Sequence, residues 1–319
     1  MSQGVDVSIV IVNWNGRYWL EQCLPALAQQ SYPHFETVIV DNGSTDDSVK
    51  WLQQFGAGVR VLRQSQNLGF ARANNIGIRA TTSPFIVTLN NDTRPEPAWL
   101  EILITAVSQP NIGMAASAIR QWQHPHLLDS AGIEVDKAGI AWQRHINQPI
   151  HPSSQPETVF GPSAAAALYR REMLEKIGLF DEDFFAYYED VDLAWRAQIA
   201  GWRCLYVPNA LVDHWHSATA VTMSDKKQYL LGRNKIWTLL KNLPTQTMWR
   251  MLPIILLYDM LSVAYQVGRT KRLTALHGRI DAWKNRHIAL AKRPSYIPPV
   301  PLAPLTLPWQ NRHKQHPTR

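Results

Sequence analysis

Cysteine is nearly missing from this chain. Cys23 and Cys204 are the only two in 319 residues, which excludes a disulfide framework, and they lack the CxxC spacing of a structural zinc site. A reducing, cytoplasmic setting follows as the simple expectation. There is no GxxxxGK phosphate loop and no GxSxG nucleophile turn, and the Gly-Ala-Gly at 56–58 leads into a strand-like run instead of a helix, so it is not a dinucleotide fingerprint. The first apolar run, Val7 to Val12, is too short for the apolar stretch of a signal peptide. The longest, 251–267, has 17 residues, at the short limit for a membrane span, and contains Pro253 and Asp259. Acidic residues are scarce near the end: between Lys226 and Arg293, 14 Lys and Arg face only Asp259 and Asp281. That stretch carries +12 of a net +7, which leaves the remainder at −5.

The composition is otherwise that of a globular protein, 45% hydrophobic and 18% charged. "VSIVIVNWN" at 7–15 is a β-branched run ending in polar residues, as expected of a strand buried on both faces of a parallel sheet. Leu20, Cys23, Leu24 and Leu27 then follow helical spacing, with Pro25 expected to bend the helix. "FETVIVD" at 35–41 predicts a second strand, a polar loop and a helix over about Asp46–Gln54. "VRVLRQS" and "PFIVTLNNDT" predict two more strands around the helix of "GFARANNIGIRAT". Strand, loop and helix in this order indicate a doubly wound α/β sheet, in which ligands bind at the carboxyl ends of the strands. The polar clusters Asn13/Asn15, Asp41/Asn42 and Asn90/Asn91/Asp92 fall at those ends. Residues 110–160 predict loops and short antiparallel strands; a helix over about Asp190–Ala200, the strand "CLYVP" and a mostly helical region after 222 follow.

Each polar cluster has an ordinary reading beside a functional one. Asp41 could accept a hydrogen bond from a nucleobase, or the segment could be a plain turn capping the next helix. Asp92 could hold a hard divalent cation, but a single carboxylate needs substrate phosphates and another protein ligand to do so. His214 or its competitor His216 in "VDHWHSAT" could supply that ligand, although a lone histidine is more often structural. In "YYEDVDLAWR", acids suit a helix start, and Asp192 with Arg196 reads as a surface i,i+4 pair. The aromatic run before them would instead desolvate a carboxylate and raise its proton affinity, as a general base requires.

Six segments, "VSIVIVNWNG", "VIVDNGSTDDS", "NLGFARANNIGI", "LNNDTRPEPAWL", the stretch from "GPSAAAALYRREM" through "YYEDVDLAWRAQIAGW", and "VDHWHSAT", occur in the order seen in family 2 glycosyltransferases. The chain resembles the rhamnosyltransferase-like bacterial branch of that family over about residues 5–220. The resemblance implies a GT-A fold, an α/β architecture with a Rossmann-like, mixed and mainly parallel sheet, and an inverting transfer from a nucleotide diphosphate sugar. It implies Asp41 as the base-recognising aspartate, with Asn13, Asn15, Asn67, Gly69, Arg72 and Asn91 on the donor side. Asp92 and His214 then hold Mg²⁺ or Mn²⁺, Asp190 is the catalytic base, and Glu189 and Tyr188 face the acceptor. The family's Asp-x-Asp metal motif is reduced here to Asn90-Asn91-Asp92.

The implied organisation is a catalytic domain over 1–222, with a nucleotide-sugar half to about 110 and an acceptor half beyond it. A basic amphipathic helical region over 223–293 and a proline-rich tail over 294–319 follow. Asp259, Ser262, Gln266 and Arg269 form a narrow polar stripe on the apolar helix, which suits a helix lying on an anionic membrane; packing on the catalytic domain or in a homo-oligomer contact is the plainer reading. The expected protein is a peripheral enzyme on the inner face of the cell membrane, moving rhamnose from dTDP-rhamnose to a glycan or lipid-linked acceptor in cell-surface polysaccharide synthesis. A UDP-sugar donor is the runner-up. A non-catalytic nucleotide-sugar or glycan-binding module and a sugar nucleotidyltransferase fit the residues less well. A nucleic-acid partner is not expected, because no reading motif accompanies the basic tail.

Overall fold

The computed structural model describes residues 5–150, 155–215 and 224–305. The first half alternates strands and helices: β1 (Val7–Asn13), α1 (Arg17–Ala28), β2 (Phe35–Asp41), α2 (Ser48–Leu52), β3 (Val59–Arg63), α3 (Phe70–Arg79), β4 (Phe85–Asn90), β5 (Thr93–Pro95) and α4 (Trp99–Ala106). A strand-rich section follows with β6 (Ile112–Gln121), β7 (His124–Ser130), β8 (Ile133–Val135), β9 (Ala141–Gln143), β10 (Glu157–Val159) and β11 (Ala166–Arg170). Then come α5 (Arg171–Ile177), α6 (Glu189–Ile199) and β12 (Arg203–His214), followed among the described residues by four more helices: α7 (Ser224–Asn242), α8 (Thr245–Thr270), α9 (Thr274–Lys284) and α10 (Arg286–Ala291).

The main sheet runs β10-β12-β6-β11-β4-β1-β2-β3, with β5 paired to β12 and β7 to β6, while β8 and β9 form a separate hairpin sheet. The block β3-β2-β1-β4 is parallel, which requires cover on both faces. One face packs on α1 and α4 through Leu20, Leu24, Trp99 and Leu103; the other packs on α3 and α6 through Ala71, Ile78, Val191 and Trp195. Val7, Ile9, Val10 and Ile11 of β1 are consequently all fully buried, each contributing about 1.5–3 kcal/mol of burial. Register then aligns the strand ends: Asn13 pairs with Asp41, and Val12 with Asn90.

Several local expectations change. The helix expected over Asp46–Gln54 has one turn, Ser48–Leu52, followed by a 3-10 segment, Gln53–Gly58. Within 110–160, β6 is a ten-residue strand buried over most of its length. Its small residues (Gly113, Ala115, Ala116, Ser117, Ala118) blur the strand pattern; burial comes from lying between β11 and β12. The strand around "CLYVP" does not stop at Pro208 but continues to His214, with a register shift between Val207 and Leu211 that takes up the proline.

The C-terminal helices are joined tightly to the rest. Phe184 packs with Ile236, Trp237 and Leu240 of α7, and with Ala282 and Ala289 of α9 and α10. Asp192 is fully buried, so its pair with Arg196 is no surface pair: Lys241 Nζ lies 2.8 Å from its other oxygen, which also accepts from Asn242. Burial alone would raise the Asp192 carboxyl, but Lys241 and Arg196 outweigh it and hold it down at about 2. Helix α8 is long and apolar enough to cross a membrane by length and composition. Its polar stripe turns inward, where Asp259 is buried against Lys235 and Arg279, while Leu256, Leu257, Met260 and Leu261 are exposed on the outside.

Candidate active site

The aligned ends of β1, β2 and β4 build one edge of the site. Asn13 Nδ2 donates to Asp41 Oδ1 (3.3 Å) and to Ser44 Oγ (3.2 Å), while Asn13 Oδ1 accepts from Asn91 (2.8 Å). Asn15, left-handed at φ +53°, accepts from the backbone N–H groups of Thr45 and Asp46, which clamps the loop after β2. Asn42 donates to Asn67 Oδ1 (3.1 Å), and the same oxygen accepts from the Gly69 N–H (2.9 Å). These bonds make the loops after β1, β2, β3 and β4 one connected polar rim.

Asn42, Asn67, Gly69, Asn91, Asp92, Tyr188, Glu189, Asp190 and His214 line a single cavity of about 940 Å³. Asn13, Asn15 and Asp41 do not line it: Asn13 and Asp41 are buried at the strand ends, and Asn15 is exposed. Arg72 stands apart on α3, half exposed and 3.6 Å from Glu182. His216 and residues 306–319 of the tail lie outside the described residues.

His214 ends β12 beside the turn after β4. Its Nε2 is 3.3 Å from Asp92 Oδ1 and its Nδ1 is 2.8 Å from Asp129 Oδ2. Burial alone would lower the imidazole, but the two carboxylates outweigh it and push it up to about 10. The described residues contain no ready-made cluster of three or more metal-ligating side chains. The donor set nevertheless fits a hard cation that takes its remaining ligands from a diphosphate: one carboxylate, one imidazole nitrogen facing it, and Asp129 fixing the other nitrogen, the usual arrangement behind a metal-bound histidine. Asp129 was missed from sequence because "HLLDS" is a plain strand with one acid, and only the pairing of β7 with β6 brings it to β12.

The opposite wall is the start of α6, reached through a contorted loop. Phe185 sits at φ +65° and ψ −63°, the centre of a γ-turn closed by a bond from the Ala186 N–H to the Phe184 carbonyl (2.8 Å). Tyr187 and Tyr188 follow at φ +68° and +69°. Such conformations cost about 1–3 kcal/mol each and persist only where the surroundings impose them. Here the side-chain amide of Asn234, fully buried on α7, donates to the carbonyls of Phe184, Ala186 and Tyr187 at 3.0, 2.9 and 2.7 Å. Arg233 adds bonds to the Asp183 and Phe184 carbonyls. Gly69 meets this loop from the donor side: at φ +86°, a Cβ there would lie 2.5 Å from the Phe185 carbonyl oxygen.

The loop delivers two adjacent carboxyl groups into the cavity. Burial pushes Asp190 up to about 6, opposed by backbone N–H bonds from Ala164 and Val191 (3.4 and 2.8 Å). Burial raises Glu189 much further, and the charge on Asp190 adds to it. Glu189 Oε2 has no hydrogen-bond partner among the described residues. Two buried carboxyls side by side cannot both ionise cheaply, and the one with backbone donors takes the charge. Of the two, Asp190 is the one favoured to carry the charge, and Glu189 is the one pushed toward the neutral acid.

A parallel nucleotide-type sheet edge faces a strained acidic loop across one cavity, and the fold is the GT-A fold of solved glycosyltransferases. The sequence pattern of "Glycosyl transferase family 2" matches residues 8–178, and the chain belongs to that family of nucleotide-sugar transferases. A relative named N-acetylglucosaminyl-diphospho-decaprenol L-rhamnosyltransferase, from Mycobacterium tuberculosis, is 29% identical over 254 residues, 71% of this chain and 81% of the relative. An uncharacterised Sinorhizobium fredii protein, y4gI, is 23% identical over 205 residues; the match spans 60% of this chain and only 22% of that protein. The solved Pyrobaculum calidifontis mannosyltransferase PcManGT, in complex with GDP-Man and Mn²⁺, shares the fold at a TM-score of 0.55 and 15% identity, over 91% of this chain and 86% of that one.

Proposed function

We infer that the protein is an inverting, cation-assisted glycosyltransferase that moves a sugar, rhamnose in the favoured reading, from a nucleoside diphosphate sugar to a glycan or lipid-linked acceptor in cell-surface polysaccharide synthesis. The observation carrying this reading is that Asp190, Asp92 and His214 all open onto one cavity whose rim is the carboxyl edge of the sheet.

In this reading the acceptor hydroxyl gives its proton to Asp190 as its oxygen bonds to the anomeric carbon. The bond from that carbon to the diphosphate breaks on the opposite face, and the electron pair leaves with the diphosphate. Asp190 suits the proton transfer because burial puts its proton affinity near the operating pH. Glu189, pushed by burial toward its protonated form, can donate to an acceptor oxygen and orient it. Asp92 and His214 would hold Mg²⁺ or Mn²⁺, which when bound supplies Lewis-acid stabilisation of the leaving diphosphate. Asn13, Asn15 and Asp41 hold the rim on which the nucleotide rests. Rhamnose is supported by the mycobacterial relative's name, and a cation and nucleotide sugar by the ligands of the mannosyltransferase structure.

The test is a donor panel including dTDP-rhamnose, UDP-sugars and GDP-mannose, with Mn²⁺ or Mg²⁺ and a lipid-linked acceptor, scored by nucleoside diphosphate release. Turnover with dTDP-rhamnose is expected. Silence with every donor, also in the presence of membrane extract, would sink the enzyme reading.

A further inference from the structure

The core beneath the catalytic pair is not wholly apolar. Thr88 stands in β4 between Val87 and Leu89 and is fully buried. Its hydroxyl donates to the Ala164 carbonyl at 2.8 Å. Ala164 lies in the turn entering β11, where the Ala166 N–H donates to the Ser163 carbonyl (3.2 Å) and the Asn90 N–H to the Ala165 carbonyl (2.8 Å). The N–H of the same Ala164 donates to Asp190 Oδ2 at 3.4 Å. Thr88 therefore anchors the residue through which the sheet bonds the catalytic carboxylate.

Asp190 has two kinds of donor. The Val191 N–H, at 2.8 Å, belongs to α6 and moves with it, whereas the Ala164 N–H comes from outside the helix. Among the described residues only the second ties this carboxylate to the sheet, and at 3.4 Å it is the bond that a small shift of the turn would break. The Thr88 hydroxyl has one proton, committed to Ala164, so toward any other neighbour it can only accept. Tyr169 supplies that neighbour. It follows Ala167, the register partner of Thr88, by two residues on β11, so both side chains share one face of the sheet. Its buried hydroxyl makes no close hydrogen bond among the described residues, although Thr88 stands beside it. Burial, and then the charge of Asp190, raises this phenol well above its usual range, so it is a neutral O–H with a proton to donate.

We propose that Thr88 and Tyr169 are positioning residues for the proton transfer: the Tyr169 hydroxyl donates to Thr88, Thr88 donates to the Ala164 carbonyl, and Ala164, so anchored, aims its N–H at Asp190 and favours the carboxylate that takes the acceptor's proton. The proposal rests on the transferase reading above and deepens it. The ionisable groups around Asp190 are Glu189 on its own helix, Tyr187 in the preceding loop, Tyr169 on β11 and, across the cavity, Asp92, Asp129 and His214 on one side and Lys227 and Lys235 of α7 on the other. Every carboxyl, imidazole and ammonium group among them is kept in the variants below, so a displaced Asp190 titration reports the two hydroxyls.

The test follows the midpoint of the acid limb of kcat/KM against pH, with the donor that turns over in the panel above. The same midpoint is read without substrate by carbon-13 titration of aspartate-labelled full chain, the Asp190 signal being the one lost in Asp190→Asn. Losing a donor to the charged form favours the protonated form, so the midpoint should move up. Thr88→Val should raise it by about half to one pH unit, and Tyr169→Phe by less. Thr88→Ser keeps the hydroxyl and should return the midpoint to that of the unaltered protein. A midpoint unchanged or lowered in Thr88→Val, or raised as much in Thr88→Ser, overturns the relay, because a purely structural threonine lowers thermal stability without moving the titration. An unchanged midpoint in Tyr169→Phe overturns the Tyr169 link. If circular dichroism shows that Thr88→Val does not fold, Tyr169→Phe carries the same test. Silence with every donor refutes the transferase reading and leaves the carbon-13 midpoint to judge the relay, whereas turnover with an unmoved midpoint refutes the relay alone.

Discussion

The two walls of the cavity are held in place by different physics. On the donor side, Asn13, Asp41 and Asn90 are placed by strand register: once β1, β2 and β4 pair in parallel, their ends align. The bonds among their loops are secondary to that backbone ladder. On the catalytic side nothing repeats. The segment Phe185–Tyr188 runs through unfavourable backbone angles and is held by Asn234 of α7, while Lys241 and Asn242 of the same helix hold Asp181 and Asp192 on either side of it. A ladder tolerates the loss of one side chain, whereas a strained loop pinned from outside does not. Damage on the donor side should therefore weaken nucleotide binding, while damage to the pins should cut turnover and stability.

The largest effect lies at the base itself. Asp190→Asn should lower kcat by about 10²–10⁴-fold with the nucleotide Kd unchanged, measured by donor turnover and calorimetry. Normal turnover would show that another group takes the proton. For the unaltered protein, kcat/KM should be level above about pH 7 and fall as pH drops through 6, because the active form is the deprotonated carboxylate and its affinity for protons is raised to about 6. A profile that stays level down to pH 4.5 contradicts this assignment.

Next comes Lys241→Met. Lys241 Nζ lies 2.5 Å from Asp181 and 2.8 Å from Asp192, all three buried. Its loss leaves Arg196 and Lys292 to compensate two buried carboxylates, so about 3 kcal/mol of stability should go, read from the shift in denaturant midpoint. A midpoint within experimental error of the unaltered protein would mean that the helical region is an appendage after all.

How much of this was legible in the sequence follows the same division. The parallel block, the helix through Leu20, Cys23, Leu24 and Leu27, and the polar strand ends could be read because local periodicity encodes them. The placing of Asp190 depended on six segments occurring together, since the acids of 189–192 look alike in one dimension. In three dimensions they separate: Asp190 has backbone donors and cavity access, Glu189 has an oxygen without a partner among the described residues, and Asp192 is locked to Lys241. Asp129 and Asn234 were illegible, because a lone acid in a strand and an asparagine in a helix carry no pattern. Their meaning arises only from contacts across 85 and about 48 residues. The polar stripe of α8 was visible as a stripe, but not which side of it would face the protein.

A direct contrast between the walls compares Asn234→Ala with Asn13→Ala. Asn234→Ala leaves the Ala186 and Tyr187 carbonyls of the strained loop without their donor, which should cost about 1–3 kcal/mol and lower kcat by at least about tenfold with little change in nucleotide Kd. Asn13→Ala breaks the link between Asp41 and Asn91 and should raise the nucleotide Kd by about tenfold with the smaller change in kcat. If both variants split between Kd and kcat in the same way, the two walls are not distinct.

The smallest expected effect concerns the outward face of α8, and it tests whether the helical wall also serves as a membrane contact. Leu256, Leu257, Met260 and Leu261 are exposed beside Trp249, with Arg250, Lys271 and Arg272 near the two ends of the helix. Apolar side chains flanked by cations suit a helix lying in the head-group region of an anionic bilayer, where each cation is worth about 1 kcal/mol. Deleting the helical region would be a poor test, since α7 pins the catalytic loop. Leu257→Ser with Met260→Ser changes only exposed positions and should leave thermal stability within about 0.5 kcal/mol. Sedimentation with vesicles containing anionic lipid should fall severalfold for this variant, and binding by the unaltered protein should weaken with added salt. If the unaltered protein ignores such vesicles, the apolar face has a different occupant and the membrane reading fails, while the donor-side and loop-side contrasts stand unchanged.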